Sequence, residues 1–224
     1  MSSLASSGLG RELDSRDSVG AVWRTYGLWA LCVGIAFFAI YPTCNWWTAQ
    51  RTLRFHVYLE SELRVPFVPE AVWLYFSMYA LFLAPPVFLG VGALRALGPQ
   101  ILGATLLSGL IFLLVPTELG FARAVPDSPL YAAIFDAIFS VDLPHNMVPS
   151  LHVVWSGLIL LALRDYAGSP SRVRYALLSL WLTTICASTL FVHQHHLADV
   201  LASLLLVWGS RRLIPGPAAR SVHA

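Results

Sequence analysis

Residues 149–164 read PSLHVVWSGLILLALR, and residues 193–214 read HQHHLADVLASLLLVWGSRRLI. Each is an apolar run that opens on ionisable side chains: His152 in the first, His195 and Asp199 in the second. A charged side chain at mid-bilayer costs about 2.5 to 3.5 kcal/mol on insertion scales, so such groups beside apolar runs point to function. If the second run is helical from its start, the i, i+4 spacing puts His195 and Asp199 on one face. The carboxylate can then hold one ring nitrogen and leave the other free to react.

The rest of the chain agrees with a membrane reading. It has 224 residues, 57% hydrophobic and 12% charged, with a mean hydropathy of +0.68, which is far from a soluble domain. All fourteen basic residues are arginine, so no motif that needs a lysine can be complete. Cys32, Cys44 and Cys186 are scattered without metal-ligand spacing and read as buried free thiols. The formal charge of +2 identifies no partner.

Residues 1–22 are rich in Ser and Gly and read as a disordered cytosolic tail. Six apolar stretches follow at about 26–42, 71–91, 97–116, 150–164, 175–192 and 196–214. They predict an all-α fold, a bundle of six transmembrane helices over residues 23–214, followed by a cytosolic tail over 215–224. The fourth stretch is the shortest, so its first residues should lie below the membrane surface, sheltered by the others. With the N-terminus inside, Arg11, Arg16, Arg24, Arg95, Arg164, Arg172, Arg174, Arg211, Arg212 and Arg220 are cytoplasmic. Arg51, Arg54, Arg64 and Arg123 are outside. The same threading brings His152, His195 and Asp199 to the extracytoplasmic face of a membrane, read as the cell's inner membrane. Residues 46–69, opening on Trp46 and Trp47, read as an interfacial helix. Leu130 to Phe139 reads as a short amphipathic helix in the loop 117–149.

The chemistry follows from residue type. An imidazole oriented by Asp199 presents its second nitrogen as nucleophile or base. Neighbouring histidines diverge on a helix and only His195 pairs with Asp199, so the His193–His196 cluster is not read as a metal site. Pro149 and Ser150 open a helix whose N–H groups, dipole and hydroxyl suit a phosphate. His152, just inside that helix, is placed to donate a proton to a leaving group.

These residues resemble the type 2 phosphatidic acid phosphatase superfamily, whose pattern is Lys-x6-Arg-Pro, then Pro-Ser-x-His, then Ser-Arg-x5-His-x3-Asp. The second element is complete in Pro149-Ser150-Leu151-His152. The third runs Ser188-Thr189, five residues, His195, three residues, Asp199, with threonine in place of arginine. The first is degraded: Arg123 is its best match, Pro126 is displaced, and Pro116 stands where lysine belongs. The resemblance, over residues 110–214, implies a metal-independent phosphoric monoester hydrolase acting on a lipid phosphomonoester or diphosphate without a cofactor. It implies His195 as the residue that becomes a phosphohistidine, Asp199 as its orienting partner and His152 as the acid. Arg123 and Ser150 then resemble phosphate ligands, with Thr189, Gln194, His193 or backbone N–H groups replacing the missing cations. The expected partners are a lipid phosphate and the membrane, with no nucleic acid; the oligomeric state is left open. The wording Pro-Ser-Leu-His with His-Gln-His-His-x-x-Asp is also similar to the branch that contains inositol phosphorylceramide synthases, so headgroup transfer to a lipid alcohol is the alternative. A non-catalytic membrane protein is the second alternative.

Overall fold

The computed structural model describes residues 17–168 and 171–215. Of the tails expected at 1–22 and 215–224, residues 1–16 and 216–224, with Arg11, Arg16 and Arg220, lie outside the described residues. Among the described residues the chain is helical, with one isolated β-bridge between Phe55 and Thr117. The helices are α1 (Val19–Ala49), α2 (Val72–Leu81), α3 (Pro85–Phe88), α4 (Val91–Leu114), α5 (Pro129–Val141), α6 (Leu151–Tyr166), α7 (Arg172–Phe191) and α8 (Leu197–Leu213). Three of them, α1, α4 and α7, are long and apolar enough to cross a membrane, which marks the chain as a membrane protein.

Three sequence expectations need correction. The expected tail does not run to residue 22. Ser18 caps α1 by accepting from the Ala21 N–H at 3.2 Å, and Val22, only 2% exposed, is already in the core. At its other end α1 continues to Ala49, so Trp46 and Trp47 form its exposed last turn and do not open a separate interfacial helix. The segment after it holds only short 3-10 turns at Glu60–Arg64 and Pro69–Ala71, because Pro66 and Pro69 lack the N–H a longer helix needs. The stretch expected at 71–91 is likewise broken: α2 ends at Leu81, and Pro85 with Pro86 starts the short α3.

Helix α6 is the centre of the molecule. Val153, Val154, Leu158, Ile159, Leu160, Ala162 and Leu163 are all buried, and α2, α4, α7 and α8 surround the helix. A 16-residue helix with so many buried faces is stabilised by its neighbours more than by lipid. Its approach to α8 is close at Gly157, where a Cβ would lie 3.0 Å from Val207.

α1 docks on α4 in the same manner, through glycines that let the helices approach. A Cβ at Gly98 would fall 2.1 Å from the Trp29 ring, and one at Gly109 would fall 2.3 Å from Ile40. Gly98→Leu should therefore push α1 off α4 and destabilise the protein by about 1–3 kcal/mol, read as a lower thermal midpoint in detergent. Gly92→Leu on the same helix, where nothing lies within 4 Å, should be nearly silent. Equal losses in the two variants would contradict this packing.

Candidate active site

The site is built where α7 ends and α8 begins. After Phe191 the chain reverses through His193, which has a φ of 54°, a left-handed conformation that disfavours most side chains. The turn is held by one carbonyl: Thr189 accepts from the N–H groups of Gln194 at 3.0 Å and His195 at 3.1 Å. The His193 ring compensates the backbone by stacking on Phe121 (centroids 4.0 Å apart) and bonding through Nε2 to the Val65 carbonyl at 2.9 Å.

α8 then starts two residues later than an i, i+4 helical pair would require. His196 is its N-cap, so His195 precedes the helix and Asp199 is its third residue. The expected shared helical face is corrected to a capping arrangement. Asp199 Oδ2 accepts from the His196 N–H at 2.8 Å, as an acidic third residue does in a capping box. The same oxygen lies 3.2 Å from His195 Nδ1. A carboxylate only accepts, so this contact puts the proton on Nδ1 and leaves a lone pair on Nε2. Glu62 adds a second carboxylate at the helix start, accepting from the Leu197 N–H at 2.7 Å, which suits the positive end of the dipole. His196 is a structural residue: it is 1% exposed, stacks between Phe121 and Tyr58, and accepts from the Gly120 N–H through Nε2.

His152 approaches from α6, on the other side of a cavity of about 50 Å³. Its ring stacks on Tyr75 at 4.1 Å, and its Nδ1 lies 3.1 Å from the Tyr75 hydroxyl. The ring centroids of His152 and His195 are 6.3 Å apart.

The remaining expected ligands divide. Arg123 and Gln194 line the same cavity as the two histidines. Arg123 is anchored by the carbonyls of Phe139, at 3.2 Å, and Asp142, and its guanidinium covers the Phe139 ring, while its buried Nε has no partner among the described residues. Ser150 caps α6 without a side-chain bond; its fully buried hydroxyl has no partner among the described residues and is not part of the cavity lining. Thr189 does not present its hydroxyl: that group turns back to the Cys186 carbonyl at 2.8 Å. His193 faces Val65 and Phe121, away from the cavity.

Sequence reasoning misses four polar residues that line the cavity, Tyr41, Tyr75, Asp142 and Asn146. Asp142 is the most consequential, a carboxylate that accepts from the Tyr41 hydroxyl at 2.8 Å. Burial pushes its pKa above the ordinary carboxylate value, against the opposing pull of Tyr41, His195 and Arg123. Asn146 is fixed in a buried set with Asn45 and Thr48, at 2.7 and 3.0 Å, which ties the end of α1 to the cavity wall. The one available signal was position: Asp142 is a lone acid directly after the amphipathic stretch 130–139. Among the described residues no three His, Cys, Asp or Glu side chains converge as a metal-ligand set.

Two loop histidines near the site make acid stability testable. Burial holds His193 below its ordinary pKa, partly offset by the Val65 carbonyl; burial and then Arg54 do the same to His145. A depressed histidine binds its proton less readily in the folded chain than in the unfolded one. Its contribution is intact above about pH 6.5 and is lost as pH falls from there through the depressed values. The thermal midpoint in detergent should be flat above pH 7 and decline between pH 6.5 and 5, less steeply in His193→Gln. A midpoint that rises on acidification would contradict this.

A comparison of the sequence with models of known protein families and with curated proteins finds no match in either.

Proposed function

We infer that the chain is an integral membrane enzyme that cleaves a lipid phosphate ester through a phosphohistidine on His195. The observation that carries this reading is the pairing of His195 Nδ1 with Asp199 at 3.2 Å, which frees Nε2 on a cavity that His152 also lines. In the first step Nε2 attacks phosphorus and the bond to the lipid oxygen breaks. His152 gives its proton to the departing alkoxide. In the second step water attacks the phosphohistidine, His152 takes the water's proton, and the P–N bond breaks to release phosphate and restore His195. Arg123, which lines the cavity, supplies the guanidinium donors to the phosphoryl oxygens.

The membrane arrangement in this reading has six crossings: α1, the broken α2–α3 pair, α4, α6, α7 and α8. It is supported by the arginines, since Arg24, Arg95, Arg164, Arg172, Arg174, Arg211 and Arg212 belong to one end of these helices. There the ends of α6 and α8 are joined by Arg211 and Asp165 at 2.5 Å. By the positive-inside rule that end, with both termini, is cytoplasmic and the histidines are extracytoplasmic.

One observation favours the second reading, transfer of a phosphoryl headgroup to another lipid alcohol. Asp142 shares the cavity with Arg123, and a carboxylate there repels a dianionic monoester more than a singly charged diester. The experiment is incubation of the purified protein with phosphatidic acid, polyprenyl diphosphate and phosphodiester lipids, following phosphate release and lipid products together. Phosphate release supports the hydrolase, and a new phospholipid supports transfer. Inertness toward the whole panel would remove both.

A further inference from the structure

A second cavity, of about 620 Å³, adjoins the one between the histidines. It runs between residues 26–38 of α1, 75–79 of α2 with Phe82 just after it, 94–101 of α4 and 151–159 of α6, under the end of α5. Its volume is that of a small-molecule site, and its walls are apolar and aromatic. Three of the polar handles on those aromatics are already used by the protein. Tyr26 donates to the Phe82 carbonyl, Trp155 Nε1 to Thr105, and the Tyr75 hydroxyl contacts His152. What remains of the lining is hydrocarbon and ring face, apart from the Trp29 indole N–H and the Tyr79 hydroxyl.

The two ends of this groove differ. At one end are Asp142 and His152, which also line the cavity between the histidines, so the two spaces meet there. At the other end are Tyr26, Phe82 and Leu94, with no ionisable group beyond the Tyr26 hydroxyl. Along α1, twelve residues separate Tyr26 from Phe38, about 18 Å at helical rise, slightly more than the ~15 Å of hydrocarbon in one leaflet. Its rim is open sideways: Phe38 on α1 is 74% exposed and Tyr79 on α2 is 53% exposed. α1 packs mainly on α4 while α2 packs on α6 and α7, so the opening lies between α1 and α2.

We propose that this groove holds one hydrocarbon chain of the phosphorylated lipid, entering sideways between α1 and α2, with its ester oxygen at His152 and its chain end toward Tyr26. The assignment rests on the reading of His195 and His152 as the phosphoryl-transfer pair. It adds to that reading a chain-binding site, a direction for the chain and a length that the groove can measure. Continuity with the histidine cavity selects the substrate's own chain over a bulk lipid, because a chain in the groove delivers its polar end to the acid.

Gly34 offers a clean way to fill the groove. It lines the space, and a Cβ built on it meets nothing within 4 Å, so Gly34→Trp occupies the groove without disturbing the α1–α4 contact. Ala30→Trp, one turn below on the same lining, is the second variant, and Gly34→Ala is the folding control. The full chain in lipid nanodiscs is irradiated with hexadecyl phosphate carrying a diazirine either near the phosphate or near the chain end, and the labelled peptides are mapped. The near-phosphate probe should label residues 137–142 and 151–155, and the chain-end probe residues 26–30 and 94–98. Labelling should fall about tenfold or more in either Trp variant, as exclusion of only a few methylenes would give. The ratio of kcat/KM for hexadecyl over butyl phosphate should collapse by a similar factor. Labels confined to lipid-exposed faces such as Leu28 and Leu31, or the reverse order of labels, would overturn the groove even if hydrolysis is robust. Ordered labels in a protein that hydrolyses neither phosphate would keep the groove and sink the hydrolase reading.

Discussion

His195→Ala should abolish turnover, by about 10⁶-fold toward background, because removal of a nucleophile costs nearly all of the chemical acceleration. No other side chain can take its place: His193 is turned to Val65, and the His196 Nε2 is occupied by the Gly120 N–H. The substitution leaves the turn standing, since the backbone bonds to Thr189 and the bond from the His196 N–H to Asp199 remain. A normal thermal midpoint with no activity is the expected pair of results. Asp199→Asn should sit between: the amide fills the same space but can donate to Nδ1, which moves the ring proton to Nε2 and blocks the attacking lone pair. His196→Ala should lose stability first, because it removes a ring stacked between Phe121 and Tyr58. Full activity in His195→Ala, measured on any lipid phosphate that the wild type cleaves, would end the nucleophile assignment.

The effect of His152→Ala should depend on the leaving group. Its proton neutralises the departing alkoxide, so with an alkyl phosphate, whose alcohol is a weak acid, the loss should be about 10²–10⁴-fold. With an aryl phosphate, whose phenolate departs unaided, most of that loss in the first step should vanish, whereas His195→Ala stays inactive with both. Tyr75→Phe is the companion, because it removes the hydroxyl 3.1 Å from His152 Nδ1 while keeping the ring on which His152 stacks. It should weaken alkyl more than aryl cleavage, and by less than His152→Ala. Equal damage with the two substrates, in protein that is demonstrably folded, would mean that His152 only packs against Tyr75.

How far the sequence could be read depended on the range of the interaction. The apolar stretches coincide with helices because burial and bilayer length act over a contiguous run. α4, α6, α7 and α8 begin and end within a few residues of the stretches at 97–116, 150–164, 175–192 and 196–214, apart from the earlier start of α4. The boundaries of α1 were less legible because they are set by a cap at Ser18 and because the helix runs on through Pro42, where a sequence reading ends it, to Ala49. The spacing of His195 and Asp199 predicts their contact, but the contact arises from an N-cap, which an i, i+4 pattern does not distinguish from a helical face. Asp142, Tyr41 and Tyr75 come from three separate elements and meet only after packing, so no local pattern could bring them together. Thr189 shows the converse: the motif position is occupied, yet its hydroxyl serves its own helix and its carbonyl holds the turn.

The most direct test is to look for the covalent intermediate. The detergent-purified protein is mixed with an aryl lipid phosphate, quenched in alkali, which preserves a P–N bond, and digested for mass spectrometry. One phosphoryl group should appear on the peptide carrying His195 with a burst of phenolate close to one per chain, be absent in His195→Ala, and persist longer in His152→Ala, where water lacks its base. Turnover without a burst, or a phosphoryl group on any residue other than His195, would contradict the mechanism.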